Sequence, residues 1–549
     1  MEWIVQRNEN VWREANVILR SGSEGKRTIK ARLLLEAAQQ IAIIQLGDGS
    51  GDEVLIELYI ADDGVAATTK TTHNMEHGMR GASAFMVSLF ALSAFAGEVS
   101  AGKFEALQEK PRLFVLTDLA NEPDDEESLV RLLAYANEFD IEGIAATTSC
   151  HLRQNPREDI LRRTIAAYGE VWTNLNVHAQ GYPSADALLA VAATGQRKFG
   201  VEGVGEPSPG SRLLAKSIKS GDPRPLWVSI WGGANTLLQA LRDCRAEMED
   251  DELAAALAKL RVYSISDQDD AGPAARREFP SVAWIVDPSY PFDHRDYWKA
   301  TWVGISGDVR GDGRKLNLPF VELVDNEWLK THVMDMGPLG RCYPPHLYCM
   351  EGDTPSFLGL IANGLGWAES PAYGGWGGRY EWRTPEGESH PVWTTPEVKD
   401  ELKGMRSPGY SITRWREGYQ LDFAGRMKWS VTRKYEDANH NPVAVLNGDR
   451  TKCVVRIAAK RGDKVALSAE GSSDPDGDAI SFEWSVYREA GTLAGGDLRA
   501  DGARAVLDLS AIPEGSSGSL HVILRVRDSG TPTLFAYRRA IVDLCSITQ

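Results

Sequence analysis

The residues best suited to chemistry lie in one acidic loop, Thr117-Asp118-Leu119-Ala120-Asn121-Glu122-Pro123-Asp124-Asp125-Glu126-Glu127, between an apolar strand and an amphipathic helix. Pro123 suits a first helical turn, and Asp124 and Asp125 suit its positive end. Helix capping accounts for one or two such acids. A denser crowd of carboxylates repels itself unless solvent or a cation compensates, and a hard, oxygen-binding cation such as Ca²⁺ is the natural compensation. Capping and metal binding are therefore the two readings of the loop, and Ca²⁺ is the expected cofactor. A second loop, Gly374-Gly375-Trp376-Gly377-Gly378-Arg379-Tyr380, holds an indole among glycines, with Trp367, Tyr373 and Trp382 nearby. It serves either as a stacking platform for a sugar ring or as an aromatic cluster that closes the domain.

These loops need a frame to position them. Arg112 to Leu116 reads as a buried strand, Leu129, Leu132, Leu133 and Ala136 as a helix face, and Ile141 to Thr148 as the next strand. The same strand-loop-helix style recurs at Leu226 to Trp231 with Asn235 to Arg242. It recurs again across Glu252 to Ile265, which ends in Ser266-Asp267-Gln268-Asp269-Asp270. Polar loops after parallel strands converge on one cleft at the carboxyl ends of an open sheet. From about Asn441 the pattern changes to short alternating strands, at Val454 to Ala458, Lys464 to Ala469, Ile480 to Tyr487, Ala505 to Leu509, Leu520 to Asp528 and Leu534 to Val542. That spacing predicts a β-sandwich. Its turn Gly471 to Asp478 is rich in aspartate, which suits either an ordinary turn or a surface calcium ion.

With 549 residues the chain is long enough for at least two domains. A net charge of −17 argues against nucleic acid or an acidic bilayer as a general partner. The apolar run Ala82 to Ala96 follows Met79 and Arg80 and ends in small residues, as a secretory signal peptide does. It is short for a membrane span, so cleavage and no stable membrane insertion are expected. Residues 1–78 carry no motif and read as an upstream extension, with an amphipathic helix at Ile29 to Ile44. Cys342 and Cys349 could bridge around a Pro-Pro turn in an oxidising compartment, or remain unpaired.

The acidic loop resembles the amino-terminal aspartate cluster of calcium-dependent nucleoside hydrolases. The wording Asn121-Glu122-Pro123-Asp124-Asp125, with Trp231-Gly232-Gly233-Ala234-Asn235-Thr236, Glu351-Gly352-Asp353-Thr354-Pro355-Ser356 and Gly374 to Tyr380, resembles a bacterial subgroup. These are nucleoside hydrolase-like proteins described as cellulose-binding, with an immunoglobulin-like carboxyl domain. The resemblance implies roles residue by residue. Asp118 would bind Ca²⁺ and deprotonate the attacking water, and Asp125 and Asp353 would complete the metal shell. Asp124 and Asn235 would contact the sugar, with Asn121 and Trp376 as further substrate contacts. Two departures stand out: Leu116 occupies a position where nucleoside hydrolases usually have Asp, and no histidine clearly matches the leaving-group acid, leaving His346 and His151 as candidates.

The expected organisation is an extension at 1–78, a signal peptide at 79–101, a nucleoside hydrolase-like α/β domain at 102–437 with a mostly parallel open sheet, and an immunoglobulin-like β-sandwich at 438–549. The expected function is that of a secreted or periplasmic calcium-dependent hydrolase of an N- or O-glycosidic bond, acting on a sugar or nucleoside-like small molecule. The alternative is a non-catalytic protein that binds a cellulose-like polysaccharide.

Overall fold

The computed structural model describes the backbone of five strands within residues 13–71, and residues 101–544 apart from 102–103, 108, 121, 290–296 and 308–318. The expected signal peptide therefore lies almost wholly outside the described residues. The chain divides into two units, Met1–Ala96 and Gly97–Gln549. The first is an antiparallel meander of β1 (Arg13–Arg20), β2 (Lys26–Glu36), β3 (Ile41–Gly47), β4 (Glu53–Ala61) and β5 (Gly64–Thr71), paired in sequence order. The helix expected at Ile29 to Ile44 is thus corrected: Ile29 to Glu36 lies in β2 and Ile41 to Ile44 in β3. Runs such as Ile41-Ala42-Ile43-Ile44 are β-branched, and their preference for a pleated surface outweighs the helical spacing.

The second unit is built on an eight-stranded sheet. Its strands are β6 (Arg112–Thr117), β7 (Asp140–Ala146), β8 (Ala192–Thr194), β9 (Leu226–Ile230), β10 (Leu260–Ser264), β11 (Ala283–Ile285), β12 (Glu381–Arg383) and β13 (Val392–Thr394). Their spatial order is β12-β13-β11-β10-β9-β6-β7-β8, and every pairing is parallel except β12 with β13. Helices cover both faces, which explains why β6 is apolar throughout. Leu113 and Val115 enter one core, while Phe114 and Leu116 enter the other. The main flanking helices are α1 (Pro123–Ala134), α2 (Glu158–His178), α3 (Ala185–Ala190), α4 (Pro209–Ile218), α5 (Asn235–Glu247), α6 (Asp250–Ala258) and α7 (Ala271–Glu278). None of the described helices is long and apolar enough to cross a membrane.

A small hairpin, β14 (Asp400–Leu402) with β15 (Met405–Ser407), and the long helix Arg416–Val431 lead into the carboxyl-terminal β region. There β16 (Val455–Ala459), β18 (Ser481–Val486), β21 (Gly518–Arg527) and β22 (Phe535–Leu544) form one sheet; β17 (Lys464–Ser468), β19 (Asp497–Asp501) and β20 (Arg504–Asp508) form the other. Leu467 and Leu507 of the smaller sheet share a core with Val522 and Val542 of the larger one, so the two sheets pack face to face. The outward residues Ile523, Phe535 and Tyr537 instead join the core of the α/β region. The two regions are thereby fused through an apolar interface.

Cys342 and Cys349 are both free. Cys342 points its sulfur at the Pro338 carbonyl, while Cys349 is buried 3.1 Å from Ser306 Oγ, so the two thiols serve separate local contacts. In the Gly471 to Asp478 turn, Asp474, Asp476 and Asp478 come together. Asp474 accepts the backbone N–H groups of Asp476 and Asp478, and Asp476 accepts from His440, as an ordinary aspartate turn would.

A buried carboxylate cluster at the strand ends

The parallel strands deliver their following loops to one edge. Asp118 follows β6, Thr147 to Ser149 follow β7, Gly232 and Gly233 follow β9, and Asp267 to Asp269 follow β10. Asp118 is 2% exposed, Asp125 4% and Asp353 3%. Asp124, Asp125 and Asp353 each offer one oxygen, and these oxygens lie within 4.8 Å of one another. Asp118 adjoins them: its backbone N–H donates to Asp125 Oδ1 at 3.1 Å, and Thr117 Oγ1 donates to the same oxygen. Ser149 Oγ fixes Asp118 Oδ2. Asp118 Oδ1, Asp124 Oδ1 and Asp353 Oδ2 are buried without a hydrogen-bond partner. Among the described residues none of the four pairs with a lysine or arginine.

Such a set is unfavourable for carboxylates alone. Burial, with Glu122 and Asp118 beside it, pushes the Asp124 carboxyl up to about 8. Burial and the neighbouring carboxylates also raise Asp125 and Asp353 well above the usual range, and burial raises Asp118. The sign of the resulting pH dependence is fixed. Groups whose folded pKa is raised contribute stability below the unfolded value near 4 and lose it as pH rises through the folded value. In chelator, the urea midpoint of the full chain should therefore fall between about pH 4 and pH 8, and saturating Ca²⁺ should restore more stability at pH 8 than at pH 5.

The cluster is held by residues to which the sequence reading gave no role of their own. Glu127 lies one helical turn before Arg131 on the buried side of α1, and accepts the Glu351 N–H at 2.7 Å. Arg131 forms a two-pronged ion pair with Glu351, and Thr354 Oγ1 and Ser128 Oγ share a hydrogen bond at 3.0 Å. These contacts clamp the Glu351-Gly352-Asp353-Thr354 loop onto α1 and so set Asp353 against Asp125. Two glycines are required by close approach. A Cβ at Gly232 would stand 2.4 Å from Asp118 Oδ1, and one at Gly352 would stand 2.6 Å from Asp124 Oδ2. Burial, with Asp124, Glu122 and Asp353 nearby, raises the Tyr297 hydroxyl well above its usual range, and its ring packs on Trp302 at 4.8 Å. Their aromatic type is the only sequence signal these two residues carried.

The side chains of two expected substrate contacts are engaged within the protein. Asn235 is fully buried. Its Nδ2 donates to Thr148 Oγ1 and to the Lys198 carbonyl, while Oδ1 accepts from Thr147, so the amide ties α5 to the loop after β7. Trp376 is 2% exposed and packs edge-on against Tyr419 and Tyr537. The Gly374 to Tyr380 loop is thus the aromatic cluster that closes the join between the two regions. Asn121 lies outside the described residues. Of the two candidate histidines, His151 lies in the field of Asp118, with Nε2 3.8 Å from Glu122 Oε2; His346 is held near Val324 and Asn326 instead.

Residues 112–380 match the nucleoside hydrolase-like domain of the cellulose-binding protein Sde182, and residues 464–544 match the carboxyl-terminal domain of the cellulose-binding protein Sde0182. A solved structure of a nucleoside hydrolase-related hypothetical protein from Saccharophagus degradans, titled as associated with carbohydrate metabolism, is 33% identical. The match covers 80% of this chain and 100% of that one, with a TM-score of 0.67. The chain belongs to the Sde182 family. The Sde182-family fold is thus a nucleoside hydrolase-like α/β region followed by an all-β region, as the sequence blocks implied. A second solved structure, of the effector protein XOO4466, is 12% identical over 60% of this chain and 95% of its own, with a TM-score of 0.29. No curated protein matches the chain.

Proposed function

We propose that the carboxylate cluster is the calcium site of a secreted or periplasmic hydrolase of a glycosidic bond, and that the same chain binds a cellulose-like polysaccharide. One observation carries the catalytic part: buried, mutually raised carboxylates with unbonded oxygens converge at the carboxyl ends of a parallel sheet. An all-oxygen donor set of this kind fits Ca²⁺. Asp124, Asp125 and Asp353 would hold the ion, with Asp118 beside them. When bound, the ion offsets their repulsion and acidifies nearby water. The signal-like run Ala82 to Ala96 supports export.

The chain's own residues divide the remaining work. Ser149 holds Asp118 Oδ2, leaving the buried Oδ1 to accept a proton from water that attacks an oxocarbenium-like anomeric carbon. Asp124, the least buried of the four acids, would accept a hydrogen bond from a sugar hydroxyl through Oδ1, which has no partner within the protein. His151, with Nε2 3.8 Å from Glu122 Oε2, would return a proton to the leaving group. Half-buried Tyr297, packed on Trp302, would offer apolar area beside the acids for one face of a sugar ring.

The second reading, polysaccharide binding without cleavage, is favoured by the word cellulose-binding in both family descriptions. Sugar release from nucleosides, aryl ribosides and small oligosaccharides, assayed with the full chain in calcium and in chelator, separates the two. Calcium-dependent release from any substrate supports catalysis. Silence across the panel from a protein that retains bound calcium and adsorbs to cellulose leaves binding as the function.

A further inference from the structure

We propose that the cleft between the start of the helix Arg416–Val431 and the outer face of the four-stranded sheet is where a neutral glucan chain binds; this rests on the polysaccharide-binding part of the function above. The cleft has a volume of about 1150 Å³ and is walled on one side by the β14–β15 hairpin. Pockets for single small molecules span roughly 300–1,000 Å³, so this one suits an oligomer.

Its chemistry selects a hydroxyl-rich ligand without charge. Five carboxylates and five cationic side chains line it. They cancel within the wall: Arg406 pairs with Glu401 at 3.0 Å, Arg414 with Glu489 at 3.2 Å, and Arg525 with both Glu417 and Glu483. A phosphorylated or acidic chain finds no net countercharge there. Vicinal hydroxyls find donors and acceptors alternating along planar groups that their ion pairs already hold in place. Three donors on the wall, Trp415 Nε1, Arg414 Nε and Arg525 Nε, have no acceptor, and Trp415 is only 8% exposed. Trp484 turns its indole away from the cleft, into the core between the two sheets, with its Nε1–H donating to the Gly502 carbonyl at 3.1 Å, so its neighbours Glu483 and Ser485 are the side chains this strand presents to the cleft. The cleft is separate from the carboxylate cluster: they share no lining residue.

The test is calorimetric titration of the full chain with cellohexaose, comparing wild type with Ser485→Tyr and Ser485→Ala. Ser485 is exposed and lines the cleft, so tyrosine there fills the space without removing a packed group. Binding at least about tenfold weaker in Ser485→Tyr, with an unchanged melting temperature, is expected; Ser485→Ala, which leaves the space open, should bind as wild type does. Unchanged affinity in Ser485→Tyr, with loss in Asp125→Asn instead, would put the glucan at the strand ends and overturn the cleft proposal while leaving polysaccharide binding intact. A wild-type chain that binds neither cellohexaose nor swollen cellulose overturns the polysaccharide reading and the cleft with it.

Discussion

Replacing Arg131 with Met should destabilise the full chain by about 3–5 kcal/mol, read as a lower urea midpoint at unchanged slope. Arg131 and Glu351 are both wholly buried, and the guanidinium also donates to the Tyr419 carbonyl and Gln420 while lying 3.9 Å over the Phe423 ring. Removing the cation leaves Glu351 charged in a dry site, with only Tyr343 and Thr354 to donate to it. Desolvation then wins over the remaining hydrogen bonds. Replacing both partners, as Arg131→Met with Glu351→Leu, removes the orphaned charge and should recover part of the loss. A midpoint unmoved in the single variant would mean that the clamp on the Asp353 loop lies elsewhere. The same variant should weaken calcium binding, because Glu351 sets the position of Asp353 two residues on.

Asp118→Asn should lower sugar release by about 10²–10⁴-fold, the usual worth of a positioned general base. The amide keeps the size of the carboxylate and can still meet Ser149, so calcium binding through Asp124, Asp125 and Asp353 should persist. The loss should appear in kcat with KM little changed, since proton acceptance belongs to the transition state. Equal turnover in the variant would remove Asp118 from the base role. Loss of calcium together with turnover would make it a ligand first.

Much of this site could be read from residue order, because its chemistry is local. Asp118, Asp124 and Asp125 sit on one strand-to-helix turn, where an unusual crowd of acids is visible in the sequence itself. Asp353 was legible only through a matching block, since no local pattern links it to residues more than 200 positions earlier; the fold makes that link through Glu127, Arg131 and Glu351. Asn235 and Trp376 were located correctly in their loops, but burial is a tertiary property. An asparagine opening a helix looks the same whether its amide meets a ligand or, as here, Thr147, Thr148 and Lys198. The strands of the β region were legible from alternation except β19, Asp-Leu-Arg-Ala-Asp, an edge strand that is almost wholly exposed and carries no apolar rhythm.

The claim that the cluster is a calcium site is tested most directly by calorimetric titration of CaCl₂ into the chelator-treated full chain at pH 7.5, alongside Asp125→Asn and Asp353→Asn. The expected result is saturable calcium binding by the wild type, with proton release because the carboxyls are raised, and loss of that binding in each variant. Wild-type and variant chains that bind calcium equally, or a wild type that binds none, would contradict it.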